Sequence, residues 1–202
     1  MNNIYYIVVS LYIMNNEVVS SPFIGKKVKL RPFEKEDVDM IMKNWNRYET
    51  RRYLANVIPM SRSMEEEWIQ QITQEQKLGK SYVFAIERLS DGELLGGCGL
   101  HNLSSTHKNA ILGIVIYDPK NWNKGYGTET MRMLLNIGFN FLNLHRIELQ
   151  VLEFNQRAIK VYEKVGFKTV GRRREAIFLE GKYVDSIIMD ILKEEFDKTD
   201  NQ

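Results

Sequence analysis

Asp118-Pro-Lys-Asn-Trp-Asn-Lys-Gly-Tyr-Gly-Thr128 is the stretch on which the fold turns. The run before it, Ala110-Ile-Leu-Gly-Ile-Val-Ile-Tyr117, is β-branched and apolar, which predicts a strand. After it, Met131, Leu134, Leu135, Gly138, Phe141 and Leu142 recur at helical spacing, so a helix is expected over 128–143. A glycine-containing loop that leads into a helix directs several backbone N–H groups outward, with the positive end of the helix dipole behind them. Gly125 and Gly127 carry no Cβ, so a phosphate can approach the main chain closely. Alone, the pattern also fits an ordinary strand-to-helix turn. It is neither of the common phosphate fingerprints, because Lys124 precedes Gly125 and position 130 is Thr.

A second stretch, one strand further on, narrows the reading. Arg146-Ile-Glu-Leu-Gln-Val-Leu152 is followed by Asn155-Gln-Arg-Ala158-Ile-Lys-Val-Tyr162-Glu-Lys-Val-Gly166-Phe167. Together with Trp122-Asn-Lys-Gly125-Tyr-Gly127, this resembles the GNAT superfamily of acetyl-CoA-dependent N-acetyltransferases, and within it the RimJ/RimL-like branch. The resemblance covers about residues 25–193. One position departs from the usual pattern: Trp122 stands where Gln or Arg is common, three places before the first glycine.

The chain of 202 residues is long enough for one well-buried domain and short for two. Hydrophobic content of 44% with 27% charged residues is ordinary for a soluble protein, and a net charge of +2 points to neither nucleic acid nor membrane. The single cysteine, Cys98, excludes an internal disulfide and suits a reducing cytoplasm. Residues 25–193 are expected to form the domain, with 1–24 an extension and 194–202 a polar C-terminal tail. The apolar run at 4–14 is too short to span a bilayer and lacks a signal-peptide pattern. It suits an added strand or a homodimer contact, or else translation begins at Met14.

Taken in order, Lys26 to Pro32 predicts a first strand, and Glu34 to Trp45 an amphipathic helix. Arg47 to Val57 adds a short helix. Ser63-Met-Glu-Glu66 reads as a capping box, opening a third helix with Met64, Trp68, Ile69 and Ile72 as its apolar stripe. Strands follow at 81–87, 94–103 and 110–117, with Asp91-Gly92 turning the first hairpin. Beyond the central helix come a strand at 146–152 and a helix at 156–165 stopped by Gly166. A hairpin of 175–179 and 184–192 closes the series. The fold class is α+β, a mixed and mostly antiparallel twisted sheet with helices on both faces. The resemblance implies a splayed central parallel pair, 110–117 and 146–152.

What the resemblance implies for function is specific. CoA's pantetheine arm would enter the splay beside Ile114, Val115 and Ile116, and its pyrophosphate would rest on Asn123, Lys124, Gly125, Tyr126, Gly127 and Thr128. Asn155 would hydrogen-bond the cofactor or cap the following helix, with Ala158 beside it. Tyr162 occupies the family's general-acid position, and a backbone N–H near Ile116 would face the developing oxyanion. The base is the open place. The glutamate of some N-terminal acetylating relatives is Gln150 here, leaving Glu148, Glu87 with a water chain, or a solvated role for both. Cys98 is expected to pack rather than react, and His101, His107 and His145 have no metal-ligand spacing. Arg172-Arg-Arg174 fits a 3′-phosphate contact or a solvated turn.

An α-amine with a pKa of about 8 is neutral roughly one time in ten at pH 7, a lysine-like amine only about once in 2,500. The difference is about 3.3 kcal/mol. A chain without a strong base should therefore favour an α-amine, or collect carboxylates to hold and tune a polyamine. The segment 34–62 begins acidic (Glu34, Glu36, Asp37) and turns basic (Lys43, Arg47, Arg51, Arg52, Arg62), which reads as unsuited to a polycation. The expected acceptor is accordingly a protein N-terminus. The alternatives are a polyamine or aminoglycoside, and a CoA-binding regulatory module without activity.

Overall fold

The computed structural model describes residues 21–200; the expectation for 4–14 lies outside them. Seven strands form one sheet in the order β1-β2-β3-β4-β5-β7-β6. They are β1 (Val28–Arg31), β2 (Tyr82–Arg88), β3 (Leu94–Ser104), β4 (Asn109–Ile116), β5 (Arg146–Leu152), β6 (Lys168–Leu179) and β7 (Lys182–Leu192). Only β4 and β5 run parallel; every other pairing is antiparallel. The helices are α1 (Asp37–Trp45), α2 (Tyr48–Arg51), α3 (Arg62–Lys77), α4 (Tyr126–Asn136), α5 (Gln156–Lys164) and α6 (Lys193–Asp200).

Period-two alternation along the strands feeds two separate cores. On one face Leu95, Leu100, Leu112, Ile147 and Leu149 pack against Met131, Leu134 and Leu135 of α4. On the other, Val83, Ala85, Leu94 and Tyr117 meet Val38 and Ile41 of α1 and Ile69 and Ile72 of α3. Burial of each such side chain is worth about 1.5–3 kcal/mol.

Four local expectations are corrected. Helix α3 is capped by Ser61, whose hydroxyl accepts from Met64 N at 3.3 Å, so the start lies two residues before the Ser63 box. Its buried line is Glu65, Ile69 and Ile72, whereas Met64 is exposed. The central helix begins at Tyr126 and passes into one wide π turn, Ile137–Phe141. Residues expected as a polar tail include α6, whose Phe196 is buried against Phe139 with ring centroids 5.4 Å apart. One buried aromatic suffices to dock an otherwise charged helix, and a composition average hides it.

Candidate active site

Strands β4 and β5 pair only from Asn109–Ile111 to Arg146–Glu148. Beyond that level β4 follows β3 as far as Ile116, and β5 follows β7 as far as Leu152, so the two part. Tyr117 N donates to Leu95 O at 2.9 Å, which fixes the alternation. The odd-numbered backbone groups turn to β3, and those of Ile114 and Ile116 turn into the gap. Trp122 Nε1 donates to Ile116 O at 2.9 Å, leaving the Ile116 N–H and both groups of Ile114 facing the space.

The gap widens into a cleft of about 440 Å³, floored by β4 and β5 and walled by the start of α4 and by α5. Gly125 is the N-cap of α4 at φ +87°, a left-handed conformation that costs any other residue strain. A Cβ there would lie 3.1 Å from Lys27 Nζ, which donates to Lys124 O at 2.9 Å. Glu129, in the same first turn, accepts from Lys27 N at 3.0 Å and so ties α4 to the chain before β1. The first N–H groups of any helix have no partner within it. Here those of Tyr126, Gly127 and Thr128 front the cleft, an anion cradle.

On the α5 side, Asn155 Oδ1 accepts from Ala158 N at 3.3 Å and caps the helix. Tyr162 lines the cleft, and burial pushes its phenol up to about 12 against the opposing pull of Arg157's charge. The Arg157 guanidinium lies 3.5 Å from the Trp122 ring centroid and 5.2 Å from that of Tyr53. This stack bridges α5, the loop before α4 and the segment after α2. Sequence reasoning missed Arg157 and Tyr53. Arg157 sits inside a recognised motif, but nothing in its spacing tells that its partner is Trp122.

All predicted cofactor-site residues line this cleft except Lys124, whose carbonyl is taken by Lys27. Glu148 does not join them: it sits where the strands are still paired, and accepts from Arg146 Nη2 at 2.7 Å. Glu87 is likewise held, 2.8 Å from Lys29 and 2.5 Å from Arg31. Arg172 pairs with Glu153 and Asp185, the solvated-turn arrangement. Burial raises the Cys98 thiol and keeps it in its neutral form.

A second cavity, of about 350 Å³, lies on the α1/α3 face of the same strands. It exists because Gly97 and Gly99 of β3 and Gly113 of β4 all face that way, so no side chain fills the space above them. Trp45, Trp68, Tyr117 and Met60 wall it, and Glu65 and His101 line it as well. Leu54 and residues Gly113 to Val115 line both cavities, so the two meet across β4. Burial raises the Glu65 carboxyl and Arg51 opposes the rise; burial lowers His101. Nothing in the sequence singles out Glu65, because a carboxylate in the first turn of a helix reads as a solvated dipole partner.

Comparison with known proteins agrees with this geometry. A family model described as an acetyltransferase (GNAT) domain matches residues 27–168. N-acetyltransferase p20 of Bacillus licheniformis is 29% identical over 174 residues, 85% of this chain and 96% of that protein. The spermidine N(1)-acetyltransferase of Escherichia coli K12 is 28% identical over 176 residues, 84% of this chain and 88% of its own. Among solved structures, the Vibrio cholerae spermidine N-acetyltransferase in complex with CoA and spermine superposes with a TM-score of 0.77 at 27% identity. That match covers 85% of this chain and 99% of the other. The chain belongs to the GNAT acetyltransferases and is an N-acetyltransferase.

Proposed function

We propose that the protein transfers acetyl from acetyl-CoA to a small primary aliphatic amine, by direct attack in a ternary complex. The observation that carries this is the meeting of two cavities at Gly113 to Val115, one built for an anion and one walled by aromatic rings around a carboxylate. The cradle at Tyr126 to Thr128, the left-handed Gly125 and the open backbone of Ile114 and Ile116 fit a phosphate-bearing arm that ends beside β4. Acetyl-CoA supplies a thioester whose carbonyl carbon gains the C–N bond as its C–S bond breaks. The Ile116 N–H points to where negative charge develops on that carbonyl oxygen. Tyr162, kept protonated by burial, holds the proton that neutralises the departing thiolate.

The sequence favoured a protein N-terminus because residues 43–62 looked basic, and pairing removes that ground. Arg47 lies 3.5 Å from Asp118, Arg52 3.1 Å from Glu180 and Arg62 3.4 Å from Glu66, while Arg51 is buried over Trp45. Pairing takes up three of those charges, so the segment presents less positive field than its composition suggests and a cationic acceptor is admissible. The relatives named for spermidine support the small-amine reading over the N-terminal one. Thiol release from acetyl-CoA across polyamines, simple alkylamines, aminoglycosides and N-terminal peptides tests it. Turnover of alkylamines or polyamines with silent peptides is expected; turnover confined to peptides would overturn the reading. CoA binding without turnover on any amine would favour the regulatory module.

A further inference from the structure

Glu65 is 3% exposed, yet its Oε1 has no hydrogen-bond partner among the described residues. A buried carboxylate left so is costly, and a native fold that keeps one calls for an explanation. Its neighbours do not complete it. Arg51, 1% exposed, opposes the burial-driven rise in Glu65's proton affinity, but its guanidinium stacks 5.2 Å from the Trp45 ring and does not line the cavity. Arg51 Nε and Nη1 are themselves without partners among the described residues. Trp45 Nε1 lies near enough to favour the ionised carboxyl without closing a hydrogen bond. The other titratable groups lining the cavity are Tyr117 and Cys98, held neutral by burial, and His101, lowered by burial.

Glu65 thus lines the cavity with one carboxyl oxygen unpartnered, and burial outweighs Arg51 in raising its affinity for a proton. The walls are rings, Trp45, Trp68 and Tyr117, whose faces attract a cation. One carboxylate among aromatic walls suits an alkylammonium group, and suits an anion or an uncharged sugar poorly.

We infer that the cavity over Gly97, Gly99 and Gly113 is where the acceptor amine binds as its ammonium, with Glu65 the carboxylate that receives it and takes its proton. This rests on the acetyl-transfer reading above only for the proton step. R–NH3+ and Glu65–COO− become R–NH2 and Glu65–COOH, which frees the nitrogen lone pair for attack. The carboxylate missing from position 150 is thereby supplied from α3, on the face of the sheet away from α4.

The test compares wild type with Glu65→Gln, which keeps shape and removes the charge. An unchanged CoA-induced rise in Tm serves as the folding control. In the CoA-bound protein, titration with butylamine and with spermidine is followed by tryptophan fluorescence, since Trp45 and Trp68 wall the cavity. Wild type should show saturable binding of both amines, weakened at least tenfold in Glu65→Gln. In steady state, kcat/KM for both amines should fall at least tenfold at pH 7, with acetyl-CoA KM unchanged. The deficit should shrink as pH approaches the amine's own pKa. No saturable binding to wild type, equal binding to the variant, or a deficit independent of pH would overturn the inference. So would loss confined to spermidine, which would make Glu65 an anchor for a remote cation. Amine binding by wild type without turnover would sink the acetyl-transfer reading and leave the binding site standing.

Discussion

The two cavities meet across β4 but are made of different material. The larger is built from backbone: a strand pair that parts, a helix start at Tyr126 and a left-handed Gly125. The smaller is built from side chains drawn from α1, α3, β3 and β4 over three glycines. A backbone site recognises what every cofactor of a class shares, phosphates and amides, and is insensitive to most substitutions. A side-chain site distinguishes individual acceptors and changes with single residues. A common donor and a variable acceptor are what such a division serves.

Variants that act on one cavity and spare the other sharpen this contrast. The largest effect should come from Tyr162→Phe, which removes the proton donor: kcat should fall about 10²-fold with both KM values nearly constant. Equal kcat in the variant would transfer the acid role to water. Gly125→Val forces a branched residue into φ +87°, at a cost of about 1–2 kcal/mol. CoA affinity should weaken about tenfold, read by titration, with acceptor KM unmoved. A comparable loss in acceptor KM would show that the cavities are not separable.

A pH series adds a third, smaller effect. The Tyr162 phenol ionises near 10 when unfolded and is raised to about 12 in the fold, so its neutral form is favoured in the native state. The associated stability is complete below about pH 10 and is lost as pH rises towards 12. Urea denaturation should therefore show a steeper alkaline decline in wild type than in Tyr162→Phe. Smallest of all, Glu148→Gln should change turnover less than twofold, because Glu148 serves an ion pair with Arg146 away from the cleft. A tenfold loss would return it to the chemistry.

The same division governs what the sequence could reveal. Loop Asp118 to Thr128, the cap at Asn155 and the succession of strands and helices were readable, because glycine geometry, capping and periodicity are local properties, whereas Tyr162 and the parallel pair were reached through the resemblance. Gly166, at φ +105°, ends α5 where expected. Glu65 was invisible because its meaning depends on Trp45, Tyr117 and Gly113, none of them close in sequence. The arginines of α2 and its flanks misled for a related reason. Composition counts charges, and only the fold shows that Glu180 of the β6–β7 turn meets Arg52 or that Asp118 meets Arg47. Phe196 follows the same rule, since one residue in a charged segment found a ring to pack on.

Two glycines of the β3–β4 pair, only one of them over the second cavity, differ in a way that bears on how such enzymes diversify. A Cβ at Gly96, on the neighbouring register position, would lie 1.9 Å from Val115 O, so the sheet cannot form with any other residue there. A Cβ at Gly113 would meet only His101, at 3.5 Å and 3.7 Å, and would project into the chamber. One position is owned by the fold and the other by the substrate. A lineage can therefore narrow its acceptor chamber by adding a methyl at Gly113, a change that Gly96 does not permit.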